Sequence, residues 1–451
     1  MTHFSRRVFA FGAASALLLP AGVLAQEAPG TPTPPKIPPP PEVAQPAYSV
    51  MRIDDQGIGR AYRVWEEWVP QVVATPDGGA WVFFTAQARA EEGYGPRRLF
   101  ATRFNPALET WESARPLGNE ATQFSASAGV DRDGVVHLVY SERALTGQDT
   151  WSKLVYQRRD QDVWSEPAQI APDDNAGHQM LATLTIDAAG GLHVIWRDQR
   201  LVDDELRNTL PVYADLLSSD LTEDGWSAPV PVSVREAPDL NPAWPRLVAD
   251  KDRLVAIWSL YQGTTPEEMK SAASVQWSVR DLAPGATWSQ PQTLFVRESG
   301  DAGGRLIDMA ADPRGGVAAI FGLFKGGVNE LYVQRLEPDA DAWTDPQLVA
   351  SGDFGFLPTT AIARDGTMFV VFNNGRNRDV DIGGLKIAPD GTTAGPVTLT
   401  PGEGGVTARA NIALDSDGIP WIVYMQQPVG ATNVAEIQTA RAPNFSPPSS
   451  T

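Results

Sequence analysis

Apolar and polar positions alternate with a period of two in short runs along most of the chain, a pattern that predicts β-strands. The runs come in pairs joined by a tight turn, and this paired unit recurs seven times. Five of the seven turns begin with aspartate, and the anchors are Thr75, Asp131, Asp187, Asp250, Asp312, Ala363 and Asp415. Three residues later, six of the seven copies carry glycine: Gly78, Gly134, Gly190, Gly315, Gly366 and Gly418, with Arg253 in the fourth copy. Aspartate bonds its own turn backbone and glycine supplies a positive φ, so the unit predicts a β-hairpin.

The spacing of these hairpins predicts the architecture. Successive anchors lie 56, 56, 63, 62, 51 and 52 residues apart, enough for one four-stranded sheet per repeat. We therefore predict an all-β fold over residues 47–441: a seven-bladed β-propeller of four-stranded antiparallel blades.

A second repeated phrase predicts the outer strand of each blade. It reads Trp-Ser/Thr-x-Pro and occurs at Trp164–Pro167, Trp226–Pro229, Trp288–Pro291 and Trp343–Pro346, with a stretched copy at Trp111–Pro116 and an eroded one at Gly395–Pro396. Proline is tolerated at a sheet edge, and we expect the tryptophans to pack between blades. Seven hairpins meet only six such phrases, so the alternating segment 48–53 is predicted to supply the outer strand of blade 7 and close the ring.

The two ends of the chain have different compositions. Residues 1–25 are interpreted as a signal peptide of the twin-arginine type, because Arg6-Arg7 precede an apolar stretch that closes on Ala25. An ordinary secretory signal with two arginines is the alternative, and both predict a periplasmic or secreted bacterial protein. Residues 26–46 are a proline-rich linker and residues 442–451 are predicted to be a disordered tail. The apolar stretch is too short for a secure membrane anchor.

Composition limits the chemistry. The net charge of −19 disfavours nucleic acid and anionic lipid as partners. The absence of cysteine excludes disulfides and thiolate ligands, and four histidines leave little material for a zinc site. We expect no cofactor and no metal, no stable membrane insertion, and a monomer. The acidic turns Asp131–Gly134 and Asp415–Gly418 superficially resemble calcium loops, but their place in the repeat favours a turn.

Several motifs resemble known propeller families. The Trp-Ser-x-Pro phrase after a hairpin is similar to the Asp-box (BNR) repeats of sialidases, although the Asp-box head survives only as Gly285 and Thr287. The arginine phrase of the first sialidase blade is replaced by Val69–Val72, and its nearest echo is Arg246 in Trp244–Leu247. Gly134–Leu138 and Gly190–Val194 resemble turns of seven-bladed polysaccharide lyases of the ulvan-lyase type. The resemblance implies a propeller whose relatives act on glycans.

Polar residues recur four positions before each hairpin anchor and are predicted to line the central channel: Gln71, Ser127, Thr183, Arg246, Asp308, Thr359 and Asn411. Only Arg246 and Asp308 are charged, and they fall in adjacent blades. One interpretation is an ion pair that joins blades 4 and 5. The other is a binding or catalytic pair at the channel mouth.

The loops that join strand D to strand A and strand B to strand C should share the mouth face. Candidate ligand-binding residues near that face are Arg246, Asp308, Trp244, Tyr261, Arg197, Asp198 and Arg305. Aromatic rings there could stack on sugars, as could Trp65 and Trp68, and converging arginines would suit a carboxylate. His137 and His193 occupy a packing position, which leaves His178 as the histidine considered for proton transfer.

The sequence thus predicts two classes of function. The first is an exported propeller that recognises a cell-envelope glycan or a protein partner at the mouth. The alternative is a sialidase-like glycosidase or a polysaccharide lyase acting on an acidic glycan. No catalytic residue is identified.

Overall fold

The fold was examined in a computed structural model. The structure describes residues 49–441 except 53–61, 65–68, 91–92, 146–150, 161, 173–176, 204–212, 238, 264–271, 284, 297–301, 353–354, 356, 377–378, 401–405 and 428–435. All described residues belong to one compact unit, Gln45–Thr451. The predicted signal peptide, proline-rich linker and C-terminal tail lie outside the described residues, as do Trp65 and Trp68. No helix in the described part of the chain has the length and apolar character needed to cross a membrane.

The described residues form β-strands arranged as a seven-bladed propeller. The strands of blades 1 to 3, preceded by the first strand, are β1 Ser49–Arg52, β2 Tyr62–Val64, β3 Gln71–Ala74, β4 Ala80–Ala90, β5 Gly93–Asn105, β6 Thr110–Trp111, β7 Arg115–Pro116, β8 Thr122–Val130, β9 Val136–Arg143, β10 Lys153–Asp160, β11 Val163–Trp164, β12 Ala168–Gln169, β13 Gln179–Ile186, β14 Leu192–Asp198, β15 Asp215–Thr222, β16 Gly225–Trp226 and β17 Val230–Ser233. Those of blades 4 to 7 are β18 Leu240–Asp250, β19 Arg253–Gln262, β20 Ala272–Asp281, β21 Gln292–Val296, β22 Ala302–Ala311, β23 Val317–Lys325, β24 Val328–Leu336, β25 Gln347–Gly352, β26 Thr359–Ile362, β27 Met368–Arg376, β28 Asp379–Ile387, β29 Thr393–Thr398, β30 Val406–Leu414, β31 Pro420–Gln427 and β32 Glu436–Arg441.

Each blade is an antiparallel meander from an inner strand A to an outer strand D, as predicted. In blade 1, β2 and β3 both pair with β4 and together make strand A. In blades 1 to 3, strand D is split into two short pieces that pair with strand C, for example β11 and β12 against β10. The predicted closure is confirmed, because β1 pairs antiparallel with β32 from Ser49 opposite Arg441 to Arg52 opposite Gln438.

The repeated aspartate performs two tasks in its turn. In blade 2, Asp131 Oδ1 accepts the backbone N–H groups of Asp133 and Val135 at 3.0 and 2.9 Å. Its Oδ2 lies 3.3 Å from Nε2 of His137 on strand B. In blade 7, Asp415 Oδ1 accepts two turn N–H groups in the same way, and its Oδ2 accepts a hydrogen bond from Arg441 on strand C at 2.8 Å. The predicted turn chemistry is confirmed, and each carboxylate also ties its turn to the sheet.

The Trp-Ser phrase joins strands C and D. In blade 3, Ser227 donates its N–H to the carbonyl of Asp220 at 2.9 Å and its Oγ accepts the Asp220 N–H at 3.0 Å. Ser165, Ser289 and Thr344 make the same side-chain contact with strand C in blades 2, 4 and 5. The hydroxyl therefore replaces a ladder bond where strand D is interrupted.

The tryptophans of this phrase pack between blades, as predicted. Trp164 of blade 2 lies edge-on to Trp81 of blade 1, with ring centroids 5.8 Å apart. Trp111 of blade 1 meets Trp421 of blade 7 at 6.0 Å, across the seam that closes the ring. The apolar core consequently lies between neighbouring blades, where buried side chains of two sheets form each cluster.

Candidate functional site

The inner strands carry a repeated β-bulge near the mouth. The pairing register shifts two to three residues before the polar channel position in blades 2, 3, 4 and 7, as between Ala243 and Arg246. A residue with left-handed backbone occupies the bulge: Ser125 at φ 55°, Leu181 at 55°, Trp244 at 54° and Arg409 at 58°. Leu357 holds the same place in blade 6 at φ 88°. None of these is glycine, so each is a strained position.

After the bulges, most of the residues predicted to line the channel form hydrogen bonds with the backbone of the next blade. Three of them accept a backbone N–H of the next blade: Ser127 from Leu184 at 3.0 Å, Asp308 from Thr360 at 2.8 Å, and Asn411 from Val72 at 3.0 Å. Two donate a hydroxyl to a backbone carbonyl of the next blade: Thr183 to Pro245 at 2.8 Å and Thr359 to Ala410 at 3.2 Å. With the Arg246–Asp308 pair, six of the seven predicted residues thus form a belt that links neighbouring blades, whereas Gln71, within the described part of the chain, donates only to the Val69 and Pro70 carbonyls of its own blade.

Arg246 and Asp308 join blades 4 and 5 in this belt. Arg246 Nε lies 2.8 Å from Asp308 Oδ1, and the two side chains are 28% and 15% exposed. Burial raises the pKa of the Asp308 carboxyl, while Arg246 and the N–H of Thr360 act in the opposite direction. Arg246 Nη1 donates to the Pro245 carbonyl at 3.1 Å, and Nη2 has no partner among the described residues. Asp308 is thus fully engaged, whereas one edge of the Arg246 guanidinium is not.

Arg197 and Asp198 are consecutive buried residues at the end of β14. Arg197 is 7% exposed and donates through Nη2 to Asn241 Oδ1 at 2.9 Å. Burial lowers its pKa to about 10, against the opposing influence of Tyr261 and Asp215. Asp198 is 0% exposed and accepts two hydrogen bonds from the Arg200 guanidinium at 2.9 Å each. Arg197 therefore bonds across to blade 4, whereas Asp198 is held within blade 3 by Arg200, Gln179 and Trp196.

The aromatic candidates come together at the mouth end of blade 4. Trp244 packs on a small cluster made by Ala243, Tyr261 and Ala272. Tyr261 is 5% exposed, whereas Trp244 remains partly exposed. Arg305 lies on β22, and its side chain is outside the part of the chain described.

The histidines divide as predicted. His137 contacts Asp131 and the Tyr156 hydroxyl, and His193 lies between Asp187 and Asp220 at 3.1 and 2.7 Å. Both are packing residues within blades. His178 stands apart at the mouth side of blade 3, where its Nδ1 lies 3.1 Å from the Ser152 backbone N–H.

Within the described ranges, no group of three or more histidine, aspartate or glutamate side chains could hold a metal ion. Two cavities of about 450 and 390 Å³ lie on the opposite face, beside the turns of blades 6 and 7 and of blades 1 and 2. Their walls are mostly turn residues with mixed charges, and neither is near the predicted site.

The sequence did not predict the β-bulges, nor that the Arg197 side chain is buried against blade 4 instead of facing the channel mouth. The bulge residues are Ser, Leu, Trp, Leu and Arg, which share no chemical property that could mark the position. Arg197 occupies a strand end, where alternation does not decide between the seam and the channel. The polar register and the adjacency of Arg246 and Asp308 followed directly from the period of two.

Comparisons with solved structures support the fold. Neither a protein-family model nor a curated protein matches the chain. The polysaccharide lyase Uly1 is 9% identical and superimposes with a TM-score of 0.56, covering 84% of this chain and 91% of its own. An ulvan lyase bound to -[GlcA(1-4)Rha3S]- is 11% identical with a TM-score of 0.52, covering 86% and 95%.

Propellers with other chemistry superimpose as well. A fungal alcohol oxidase in complex with copper is 14% identical with a TM-score of 0.53, covering 88% of this chain and 76% of its own. The K499G mutant of the NanB sialidase from Streptococcus pneumoniae is 9% identical with a TM-score of 0.46, covering 84% of this chain and 68% of its own. At such identities a likeness shows the fold alone. The predicted likeness to sialidase-like β-propellers is confirmed as a likeness of fold.

Proposed function

We propose that this chain is an exported β-propeller that recognises a glycan at the channel mouth of blades 3 to 5. The observation that carries the proposal is Trp244, a partly exposed indole held at φ 54° in a β-bulge, two residues before Arg246. A bulky residue in the left-handed region costs about 1–2 kcal/mol, and such strain concentrates at functional sites. β-Bulges are also common beside binding sites, where they change the direction of a side chain.

The chemistry around Trp244 suits a sugar. An indole offers a flat apolar face with a polar edge, and that of Trp244 packs against Ala243, Tyr261 and Ala272. Arg246 contributes guanidinium hydrogens that Asp308 and Pro245 leave unused. A guanidinium edge matches a carboxylate or a pair of hydroxyl oxygens. Glycans are also what the lyases of the same fold act on, which adds support by analogy.

Ligand recognition is favoured over catalysis because the candidate acid and base side chains are already hydrogen-bonded within the protein. Asp308 and Asp198 are occupied by arginines and backbone N–H groups, and His178 Nδ1 faces a backbone donor. None of these described groups pairs a free base with an exposed acid, as glycosidases require. Export to the periplasm or beyond would bring such a protein to envelope glycans, which fits the signal-like N-terminal segment.

Replacing Trp244 with glycine tests the site. Trp244→Gly removes the stacking surface while relieving the left-handed strain, so we expect little change in melting temperature and a loss of affinity of about tenfold or more. Leu181→Gly is the matched control, because it relieves the same strain at the equivalent bulge of blade 3. A glycan array identifies the ligand, and calorimetry measures both variants.

Two results would contradict the proposal. The site is wrong if Trp244→Gly and Arg246→Lys bind every array ligand as the unchanged protein does. Hydrolysis or lyase cleavage of a sialic- or uronic-acid glycan that Arg246→Ala abolishes would make the protein an enzyme instead.

A further inference from the structure

A second group of side chains stands at the mouth side of blades 2 and 3. Arg143 ends β9 and Trp151 precedes β10, so they flank the loop that joins strands B and C of blade 2. Glu142 pairs with Lys153, which brings Arg143 and Trp151 to the same end of the sheet. His178 precedes β13, and its ring lies edge-on to Trp151 with centroids 4.9 Å apart and an interplanar angle of 84°.

The hydrogen bonds of His178 fix its tautomer. Nδ1 lies 3.1 Å from the backbone N–H of Ser152, which can only donate. Ser152 Oγ lies 3.0 Å from the same nitrogen and gives its own hydrogen to the Gln179 carbonyl at 3.0 Å, so the hydrogen directed at Nδ1 is the one on the Ser152 backbone. Nδ1 must therefore be the unprotonated nitrogen, and the neutral ring carries its hydrogen on Nε2. Burial lowers the pKa of His178, and Arg143 contributes in the same direction.

The Nε2–H of His178 is a hydrogen-bond donor on a ring whose position is fixed by the bond to Ser152. It has no hydrogen-bond partner among the described residues, and the His178 residue is partly exposed. Arg143 is exposed and makes no ion pair within the described part of the chain. Trp151 is partly exposed beside them. Two donors, one of them a cation, thus lie beside an indole.

We propose that Arg143, Trp151 and His178 form a subsite for one acidic sugar residue of an oligosaccharide, and this rests on the glycan recognition proposed above. The sugar ring packs on Trp151, and its anionic group accepts hydrogen bonds from His178 Nε2 and from Arg143. The shared chemistry is an anionic oxygen group, either a uronate carboxylate or a sulfate ester. Together with Trp244 and Arg246, the subsite makes the ligand an acidic oligosaccharide that crosses the mouth from blade 2 to blade 4.

His178→Asn separates the donor from the structural bond. The asparagine Oδ1 can still accept the Ser152 N–H, while the Nε2–H donor is removed. We expect His178→Asn and Arg143→Gln each to lower affinity for a glucuronate hexasaccharide by about tenfold, with unchanged melting temperature. His178→Ala should lower both the affinity and the melting temperature, because it removes the donor and also leaves the Ser152 N–H without its acceptor. A carboxyl-reduced hexasaccharide and a sulfated, uronate-free hexasaccharide identify the anionic group.

The outcomes separate this proposal from the one on which it rests. If Trp244→Gly weakens hexasaccharide binding but His178→Asn, Arg143→Gln and Trp151→Ala do not, the subsite is wrong and the recognition site stands. If none of the four changes affinity, both are wrong. A protein that binds the acidic hexasaccharides no better than the carboxyl-reduced one also overturns the subsite.

Discussion

At the scale of single residues, the turn aspartates explain why one residue type recurs around the ring. In Asp312, Oδ1 accepts the Arg314 N–H at 2.9 Å while Oδ2 pairs with the Arg314 and Arg335 guanidinium groups. Burial opposes ionisation of this carboxyl, but these hydrogen bonds and charges hold its pKa below the usual range. Burial likewise opposes ionisation of Asp77 and Asp187 in other turns and of Asp220 on β15, but hydrogen bonds and neighbouring basic side chains lower their pKa values.

These aspartates predict how stability depends on pH. Because their pKa values are lower in the folded than in the unfolded chain, they stabilise the fold fully above about pH 4 and lose that contribution as the pH falls. We expect Asp312→Asn to lower the free energy of unfolding by about 1–3 kcal/mol at pH 7 and by less at pH 3. Chemical denaturation at both pH values measures this. An equal loss at the two values would show that the charge of Asp312 does not contribute.

Asp308 predicts the reverse dependence. Its pKa is raised in the folded protein, so its ionisation destabilises the fold as the pH rises from about 4 toward the folded value. Asp308→Asn replaces one of the two accepting oxygens by an NH2 group, so either Arg246 Nε or the Thr360 N–H loses its acceptor, and we expect a loss of about 1–3 kcal/mol at pH 7. Glycan affinity should fall only slightly, because Arg246 rather than Asp308 is proposed to contact the ligand. A large loss of affinity with no loss of stability would assign Asp308 to the ligand instead.

At the scale of strands, the sequence predicted what depends on alternation and turn chemistry. The hairpin anchors, the Trp-Ser/Thr-x-Pro phrase and the polar positions before each anchor could be predicted because each places a given type of residue at a fixed position in the repeat. The bulge at Trp244 was not predictable, since it depends on how two strands pair rather than on which residue stands there. The burial of Arg197 was not predictable for a related reason, because its partner Asn241 belongs to the next blade.

The outer strand β1 allows a direct test of closure. Removing residues 47–58 leaves the edge of β32 without its antiparallel partner, so we expect a sharp fall in melting temperature. Removing residues 26–45 leaves every described pairing intact and should change the melting temperature little. Calorimetric scans of both deletions measure the difference. An unchanged melting temperature after the first deletion would mean that the pairing of β1 adds nothing to stability.

At the scale of the whole molecule, the N-terminal segment predicts where the protein is delivered. Arg6 and Arg7 precede the apolar stretch that the sequence presents as a signal. We expect Arg6→Lys with Arg7→Lys to block export, because lysine does not replace a recognised arginine pair. Fractionation of cells expressing each form measures this. Export that persists without the twin-arginine translocase would indicate the general secretory route.

The pairing of Ser49 with Arg441 has a consequence for how the molecule is made. This contact joins the two ends of the ring, so it forms only when all seven sheets are in place. Contacts between residues far apart in sequence slow folding. Until then the chain is an open arc whose free strand edges can pair with other chains. Loss of the few residues of β32 should therefore trap the protein as an aggregating arc, although six blades would be complete.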